Sequence, residues 1–123
     1  MTIYINGRSQ LRAKVDVVTK TDSYTITTSD FGKTLRMNSA DDKIFTLPSV
    51  GAVDDGARLT VVKLGAGKVT IQAADSDIIA DGTAGGTLYN NTAAQIYADV
   101  SLEYVHQSVT WIIRGAHGTW TST

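Results

Sequence analysis

The sequence contains no cysteine, only one proline and no run of 18 apolar residues. The absence of cysteine excludes disulfides, thiol nucleophiles and thiolate metal sites. Without a long apolar run, no membrane insertion is predicted. The formal net charge is −1, so the chain has no overall basic field that would attract nucleic acid.

Glutamate is nearly absent too, since Glu103 is the only one among 12 acidic residues. The other acidic residues are aspartates, which favour turns, whereas glutamate favours helices. Threonine is abundant, and β-branched residues suit strands. With 42% hydrophobic and 19% charged residues, the 123-residue chain is predicted to form one folded all-β domain.

Apolar and polar residues alternate most clearly over residues 94–106, where the pattern predicts a half-buried strand. A second alternating run, residues 109–114, follows after a short gap, so the two are predicted to form a hairpin. Shorter candidate strands cover residues 13–20, 23–27, 34–38, 43–47, 57–64, 68–73, 78–80 and 87–90. Many short strands with polar turns favour a compact antiparallel β-sandwich or barrel with short hairpins.

The segment Gly65-Ala66-Gly67-Lys68 is similar to part of a phosphate-binding loop. Such a loop requires Ser or Thr after the lysine and a helix behind it, to bind magnesium and the phosphates. Here Val69 follows the lysine, and the chain continues as a strand pattern. The segment is therefore predicted to be the loop of a tight hairpin.

Other patterns indicate no reaction. Asp75, Asp77 and Asp81 lack the spacing of a calcium loop, and His106 and His117 lack zinc spacing. No catalytic triad motif is present. We therefore predict no enzyme activity, no catalytic residues, no cofactor and no metal. A pair of aspartates that cleaves a glycan stays open at this point, because eleven aspartates place some pair close together by chance.

The aromatic residues and one isoleucine suggest contact surfaces. Trp111 alternates with Val109 and Ile113 and is predicted to lie in the core or in an interface. Ile112 faces the other way, so a second layer, another subunit or nothing covers it. The candidate contacts with a ligand or another subunit are Tyr89, Tyr97, Ile112 and Trp120. Residues 1–20, with the basic Arg8, Arg12 and Lys14, are predicted to form a docking arm. Residues 21–116 are the predicted domain and residues 117–123 a C-terminal tail.

Several segments, taken in order, are similar to a β-rich module of bacteriophage tail fibres and related virion proteins. They are YTITTSDFGKTLRMNSA (24–40), FTLPSV (45–50), DDGARLTVVKLGAGKVTIQA (54–73), DSDII (75–79) and VSLEYVHQSVTWII (100–113). The resemblance implies a non-enzymatic homotrimer in the virion, assembled in the host bacterial cytoplasm. Its expected partners are other virion proteins, through Arg8, Arg12 and Lys14, and a host cell-surface glycan.

Within that resemblance, a tail-fibre or receptor-binding role is expected. The alternatives are a capsid fibre or decoration protein, and a monomeric carbohydrate-binding module.

Overall fold

Eleven strands make up the regular structure of residues 14–123, the part of the chain that the computed structural model describes. The strands are β1 (Val17–Lys20), β2 (Tyr24–Thr25), β3 (Thr34–Met37), β4 (Lys43–Thr46), β5 (Arg58–Lys63), β6 (Val69–Gln72), β7 (Ile78–Ile79), β8 (Thr87–Asn90), β9 (Asp99–Val105), β10 (Thr110–His117) and β11 (Thr121–Ser122). Three short 3₁₀ turns connect strands, at Thr28–Asp30, Ala52–Asp54 and His106–Ser108. The all-β prediction is confirmed.

The strands form two mixed sheets. The first sheet has six strands in the order β1-β3-β5-β9-β10-β7, and the second has five in the order β11-β8-β6-β4-β2. Through β9 the chain alternates between the sheets, with odd-numbered strands in the first and even-numbered strands in the second. Consecutive strands in this part are therefore joined by corners and do not pair with each other.

The first six strands pair in parallel, which corrects the prediction of an antiparallel fold with short hairpins. β1, β3 and β5 are parallel neighbours in the first sheet, and β2, β4 and β6 are parallel neighbours in the second. Each pair of strands with its corner forms one coil, and three coils stack upon one another. The hydrophobic alternation predicted the strands, but it does not specify which strand lies beside which.

The corner at residues 64–68 also differs from its prediction, because it leads from one sheet to the other and is not a hairpin loop. It stacks on the corner of the preceding coil. A Cβ at Gly65 would lie 2.1 Å from the Ser39 carbonyl oxygen, and one at Gly67 would lie 2.0 Å from that of Asp41. The Gly67 amide donates to the Ser39 oxygen at 3.0 Å. The two glycines are therefore required by close backbone contact.

The predicted hairpin near the C-terminus is confirmed, since β9 and β10 pair antiparallel across the turn His106–Ser108. β9 also pairs antiparallel with β5, and β8 with β6, so β8 and β9 run opposite to the strands of the coils. β7 lies parallel to the start of β10. The strands after β6 therefore cover the third coil, with β9 beside β5 and β8 beside β6.

One hydrophobic core takes side chains from both sheets. Its largest fully buried apolar side chains include Trp111, Tyr104 and Phe45, which confirms the prediction for Trp111. Buried residues alternate with half-buried ones along β5 and β9, as expected for strands with one face in the core. The core thus fixes which side chains of each strand reach the surface.

Candidate functional site

The second half of β10, residues 113–117, is exposed along its whole length. We call this segment the open half of β10. Ile113 lies on the same face of the sheet as the buried Trp111, yet it is 39% exposed. Within residues 14–123, β7 pairs only with Thr110 and Trp111, so the outer edge of the strand beyond them has no neighbour. Free edges and uncovered apolar faces are the features by which sheets bind further strands or subunits.

A turn formed by residues 95–98 lies beside this strand and carries an exposed aromatic side chain. We call it the Tyr97 turn. Tyr97 is 72% exposed and Ile96 is 45% exposed. The Tyr97 backbone is left-handed, with φ of +75°, a conformation that disfavours non-glycine residues. Its amide donates to the Lys63 carbonyl at 2.7 Å, so the neighbouring strand end holds the turn in this conformation.

Gln95 ties this turn to the C-terminal segment. Its side-chain oxygen accepts from the Thr119 amide at 2.7 Å and from the side chain of buried Asn90 at 2.8 Å. His117 and Gly118 line a shallow depression together with Ile96 and Tyr97. The Tyr97 turn and the end of β10 therefore form one continuous surface with an apolar rim and an exposed histidine.

The four predicted contact residues do not form a single site. Tyr97 lies in the Tyr97 turn, and Trp120 reaches the same segment because its indole N–H donates to the His117 carbonyl at 2.9 Å. Trp120 is partly buried against the core. Tyr89 lies on β8 in the second sheet, with Lys68 Nζ 4.4 Å from its ring centroid. Ile112 lies on β10 opposite Glu103 in the first sheet.

The predicted arm and tail lie partly within the sheets. Arg8 and Arg12 lie outside the described residues, and Lys14 is an exposed residue at their start. The end of the predicted arm forms β1, which pairs with β3. In the predicted tail, β11 pairs with β8, so this segment extends the second sheet.

Asp77 is a buried acid with incomplete hydrogen bonding. It is 7% exposed, and its Oδ2 has no hydrogen-bond partner among the described residues. Burial, reinforced by the neighbouring Asp75 carboxylate, raises the pKa of Asp77. The nearby Tyr104 hydroxyl lies 3.2 Å from His106 Nδ1, and the His106 amide donates to Asp55 at 3.0 Å.

A buried lysine marks the other end of the core. Lys63 is fully buried, and its Nζ donates to the Gly65 carbonyl at 2.7 Å. Burial lowers the pKa of this ammonium group. Because Leu59, Val61 and Lys63 share the inner face of β5, the lysine takes a position that the alternation would assign to an apolar residue.

Within residues 14–123, no group of three or more His, Cys, Asp and Glu side chains could hold a metal ion. Two of the aspartates of residues 75–81 hold separate segments together. Asp75 accepts from the Ser49 hydroxyl at 2.8 Å, and Asp81 accepts from Ser122. In the same range of residues, no helix has both the length and the apolar character needed to cross a membrane.

Sequence reasoning missed two members of the surface, Ile96 and Ile113. The alternation assigned both to the inner face, where burial was expected. The structure begins β9 only at Asp99, which leaves Ile96 in the turn, and Ile113 lies in the half of β10 that is exposed along its length. No signal in the sequence marks where burial along β10 ends.

No known family model matches the chain, and no curated protein matches it closely enough to indicate a relative.

Proposed function

We propose that this protein is a non-enzymatic structural component of a bacteriophage particle, acting as a homotrimer in a tail fibre or in receptor attachment. The observation that carries the proposal is the open half of β10 beside the Tyr97 turn. Together they offer an unpaired strand edge, an exposed apolar side chain at Ile113 and an exposed aromatic side chain at Tyr97, which lines one depression with His117. The resemblance of the sequence to phage fibre modules supports the same function.

The arrangement of the core supports a β-sandwich as the fold of each subunit. Both sheets contribute to one apolar cluster, in which Phe45 comes from the second sheet and Trp111 from the first. Because the chain has no cysteine, this packing and not disulfides holds the unit together. A rigid scaffold suits attachment, because three weak sites held in fixed positions bind together more tightly than one alone.

In the proposed trimer, a neighbouring copy packs against the outer edge of the open half of β10 and against Ile113, and it leaves the opposite face of the sheet, with Arg114, free. Ile113 supplies an apolar side chain that its own chain leaves 39% exposed, and the free edge supplies backbone donors and acceptors. A neighbouring copy would cover Ile113 and pair the free edge, and both of these favour aggregation when they are exposed on an isolated subunit. Tyr97 lies next to the contact and is available for a host glycan.

The first experiment is light scattering behind a sizing column, with an expected mass three times the 13.1 kDa of one chain. Ile113→Lys places a charge on the proposed contact and is expected to give monomers. Val53→Lys is the matched control, because Val53 is 96% exposed in a corner far from β10 in sequence and outside its pairing. A monomeric wild type, or an Ile113→Lys protein that is still trimeric, would contradict the proposed contact.

The exposed Tyr97 also favours a second candidate, a monomeric carbohydrate-binding module, since exposed aromatic rings stack on sugars. A monomer that binds simple sugars saturably would favour this alternative. Antibody labelling of purified phage particles separates a tail position from a capsid decoration, and an unlabelled particle would contradict both virion roles.

A further inference from the structure

A groove on the outer face of the first sheet combines positive charge with a row of hydroxyl groups. Its polar lining consists of Lys33, Arg58, Arg114, Thr34, Thr60 and Ser101. We call it the arginine groove. It lies on the face opposite the core, and none of the residues predicted as contact sites lines it. The lining brings together three cationic side chains from three separate parts of the sequence.

Two arginines are held side by side by the only glutamate in the chain. Arg58 Nε and Nη2 lie 3.0 and 2.9 Å from Glu103 Oε1, and Arg114 Nε lies 3.5 Å from the same oxygen. The arginine side chains are 61% and 51% exposed, whereas that of Glu103 is 20% exposed. One carboxylate therefore orients two guanidinium groups, and one positive charge is left over with N–H donors facing solvent.

A β-bulge places Arg114 in this position. The pairing of β10 with β9 shifts between Ile113 and Gly115, so Arg114 is an extra residue with no partner on β9. Its side chain reaches Glu103, which pairs with Ile112. Bulges redirect side chains in this way and are frequent beside functional sites.

The hydroxyl row runs next to the arginines because three strands are in register. Thr34 is opposite Thr60, and Thr60 is opposite Ser101, with the last two hydroxyls 2.9 Å apart. Gly115 on β10 is opposite Ser101, and a Cβ at Gly115 would meet no atom within 4 Å. The row therefore ends in open space beside Arg114.

Lys33 adds a further cation at the groove. Its Nζ lies 3.8 Å from Asp30 Oδ1, which is long for an ion pair. Burial alone would raise the pKa of Asp30, but hydrogen bonds from the Thr27 amide and the Tyr24 hydroxyl outweigh it and lower the pKa. Because Asp30 already has these partners, Lys33 is only loosely held and is available to an anionic ligand.

We propose that the arginine groove binds an acidic polysaccharide through the carboxylates of its sugar residues. Guanidinium groups bind carboxylates through paired hydrogen bonds, and the threonine and serine row matches the hydroxyls of the same sugars. Nucleic acid fits less well, because the lining contains no aromatic side chain for base stacking and the chain has a net charge of −1. The assignment of this ligand to a host surface rests on the proposed attachment function.

The test measures binding by isothermal titration calorimetry, with polygalacturonate as the acidic probe and dextran as the neutral one. The wild type is expected to bind polygalacturonate saturably, with affinity that falls as salt is added, and to leave dextran unbound. Arg58→Gln with Arg114→Gln is expected to weaken binding by about 100-fold, at about 10-fold for each charged contact. Arg114→Gln alone is expected to weaken polygalacturonate binding by about 10-fold. It keeps the Arg58–Glu103 pair and therefore serves as the test if the double variant folds poorly.

Arg36→Gln is the matched control. Arg36 lies on β3 in the same sheet but outside the groove lining, so this change removes the same charge and should leave binding within about 2-fold. Equal weakening in both variants, binding of dextran, tighter binding of single-stranded DNA, or equal binding of inorganic phosphate alone would each overturn the proposal. The trimer mass and particle labelling do not depend on this result, so failure of the groove and failure of the attachment function are distinguishable.

Discussion

The two halves of the described chain form their turns with different kinds of residue. We call the strands up to the end of β6 the coiled half and the strands after it the closing half. Up to the end of β6, the left-handed backbone positions are glycines, Gly32 and Gly56. After β6, four non-glycine residues also adopt positive φ, namely Asp75, Ala80, Tyr97 and Val109. The coiled half is thus built with little strain, whereas the closing half stores it. Strained positions that persist are held by their surroundings and often lie at functional surfaces.

Exposed apolar side chains follow the same division. In the closing half, Ile96 and Tyr97 are exposed at one depression, Ile113 on the open half of β10 and Val109 at the turn before β10. In the coiled half, the exposed apolar residues lie just before β1, on β1, on β4 and in a corner, namely Val15, Val17, Ile44 and Val53. The comparison assigns stability to the coils and the apolar contact surface to the closing strands, whereas the arginine groove takes residues from both halves. It can be tested residue by residue.

The largest effect is expected from Gly65→Ala in the coiled half. The new methyl group would lie 2.1 Å from the Ser39 carbonyl oxygen, and backbone on both sides resists movement. We expect a loss of about 3 kcal/mol in the free energy of unfolding, measured by urea denaturation. Gly51→Ala is the control, because no atom lies within 4 Å of a Cβ there. Equal, small effects of both changes would show that the corners do not stack closely.

These glycines also show what could be predicted from the sequence. The segment KVTIQA was predicted as a strand and forms β6, because alternation along a strand is a local property. Gly65 and Gly67 were assigned to a hairpin, since a glycine-rich loop between two strands is typical of one. The structural reason for them is contact with residues 39–41, about 25 positions earlier. A single sequence gives no local signal for such stacking.

The candidate surfaces were predictable to a similar degree. Tyr97 was expected to be exposed because the alternation places it on one face with Asp99 and Glu103, and it is 72% exposed. Ile113 was expected to be covered, since alternation gives the direction of a side chain but not the extent of the opposite sheet. The arginine groove was not predicted, because it depends on register among β3, β5, β9 and β10.

A smaller change in the free energy of unfolding, a gain and not a loss, is expected at Lys63, whose carbonyl accepts from the Tyr97 amide. Lys63→Met replaces a fully buried ammonium group by an apolar side chain of similar length, and we expect a gain of about 1 to 2 kcal/mol at neutral pH. The folded-state pKa of Lys63 is lowered, so the cost of burying its charge is present below that pKa. It disappears as the pH rises toward the ordinary value of 10.5.

The gain from Lys63→Met should therefore shrink at alkaline pH, as measured by urea denaturation between pH 7 and about 10.5. Lys20→Met is the control, because it makes the same replacement at a half-buried position on β1 and removes no fully buried ammonium group. A loss of stability in Lys63→Met would mean that the bond to the Gly65 carbonyl outweighs the burial of charge.

Asp77 in the closing half provides the corresponding test for a buried acid. Its pKa is raised in the folded state, so its favourable contribution is complete below the ordinary value of 3.8 and is lost as the pH rises through the folded-state pKa. Asp77→Asn is uncharged throughout. The stability of this variant relative to the wild type should therefore rise with pH above about 4 and then level off, as measured by thermal denaturation. A difference independent of pH would show that Asp77 does not titrate abnormally.

The smallest effect, and the most specific for function, is expected from Tyr97→Gly. Glycine relieves the left-handed strain of about 1 to 2 kcal/mol, while the greater entropy of the unfolded chain offsets about half of it. We expect a net gain of about 0.5 kcal/mol in the free energy of unfolding, because the side chain is 72% exposed and loses little burial. Tyr97→Phe keeps both ring and strain and should leave stability unchanged. If Tyr97→Gly instead destabilises the isolated chain, the ring packs within its own subunit. If it stabilises the chain and weakens trimer formation or glycan binding, the strain at Tyr97 is maintained for contact outside the subunit.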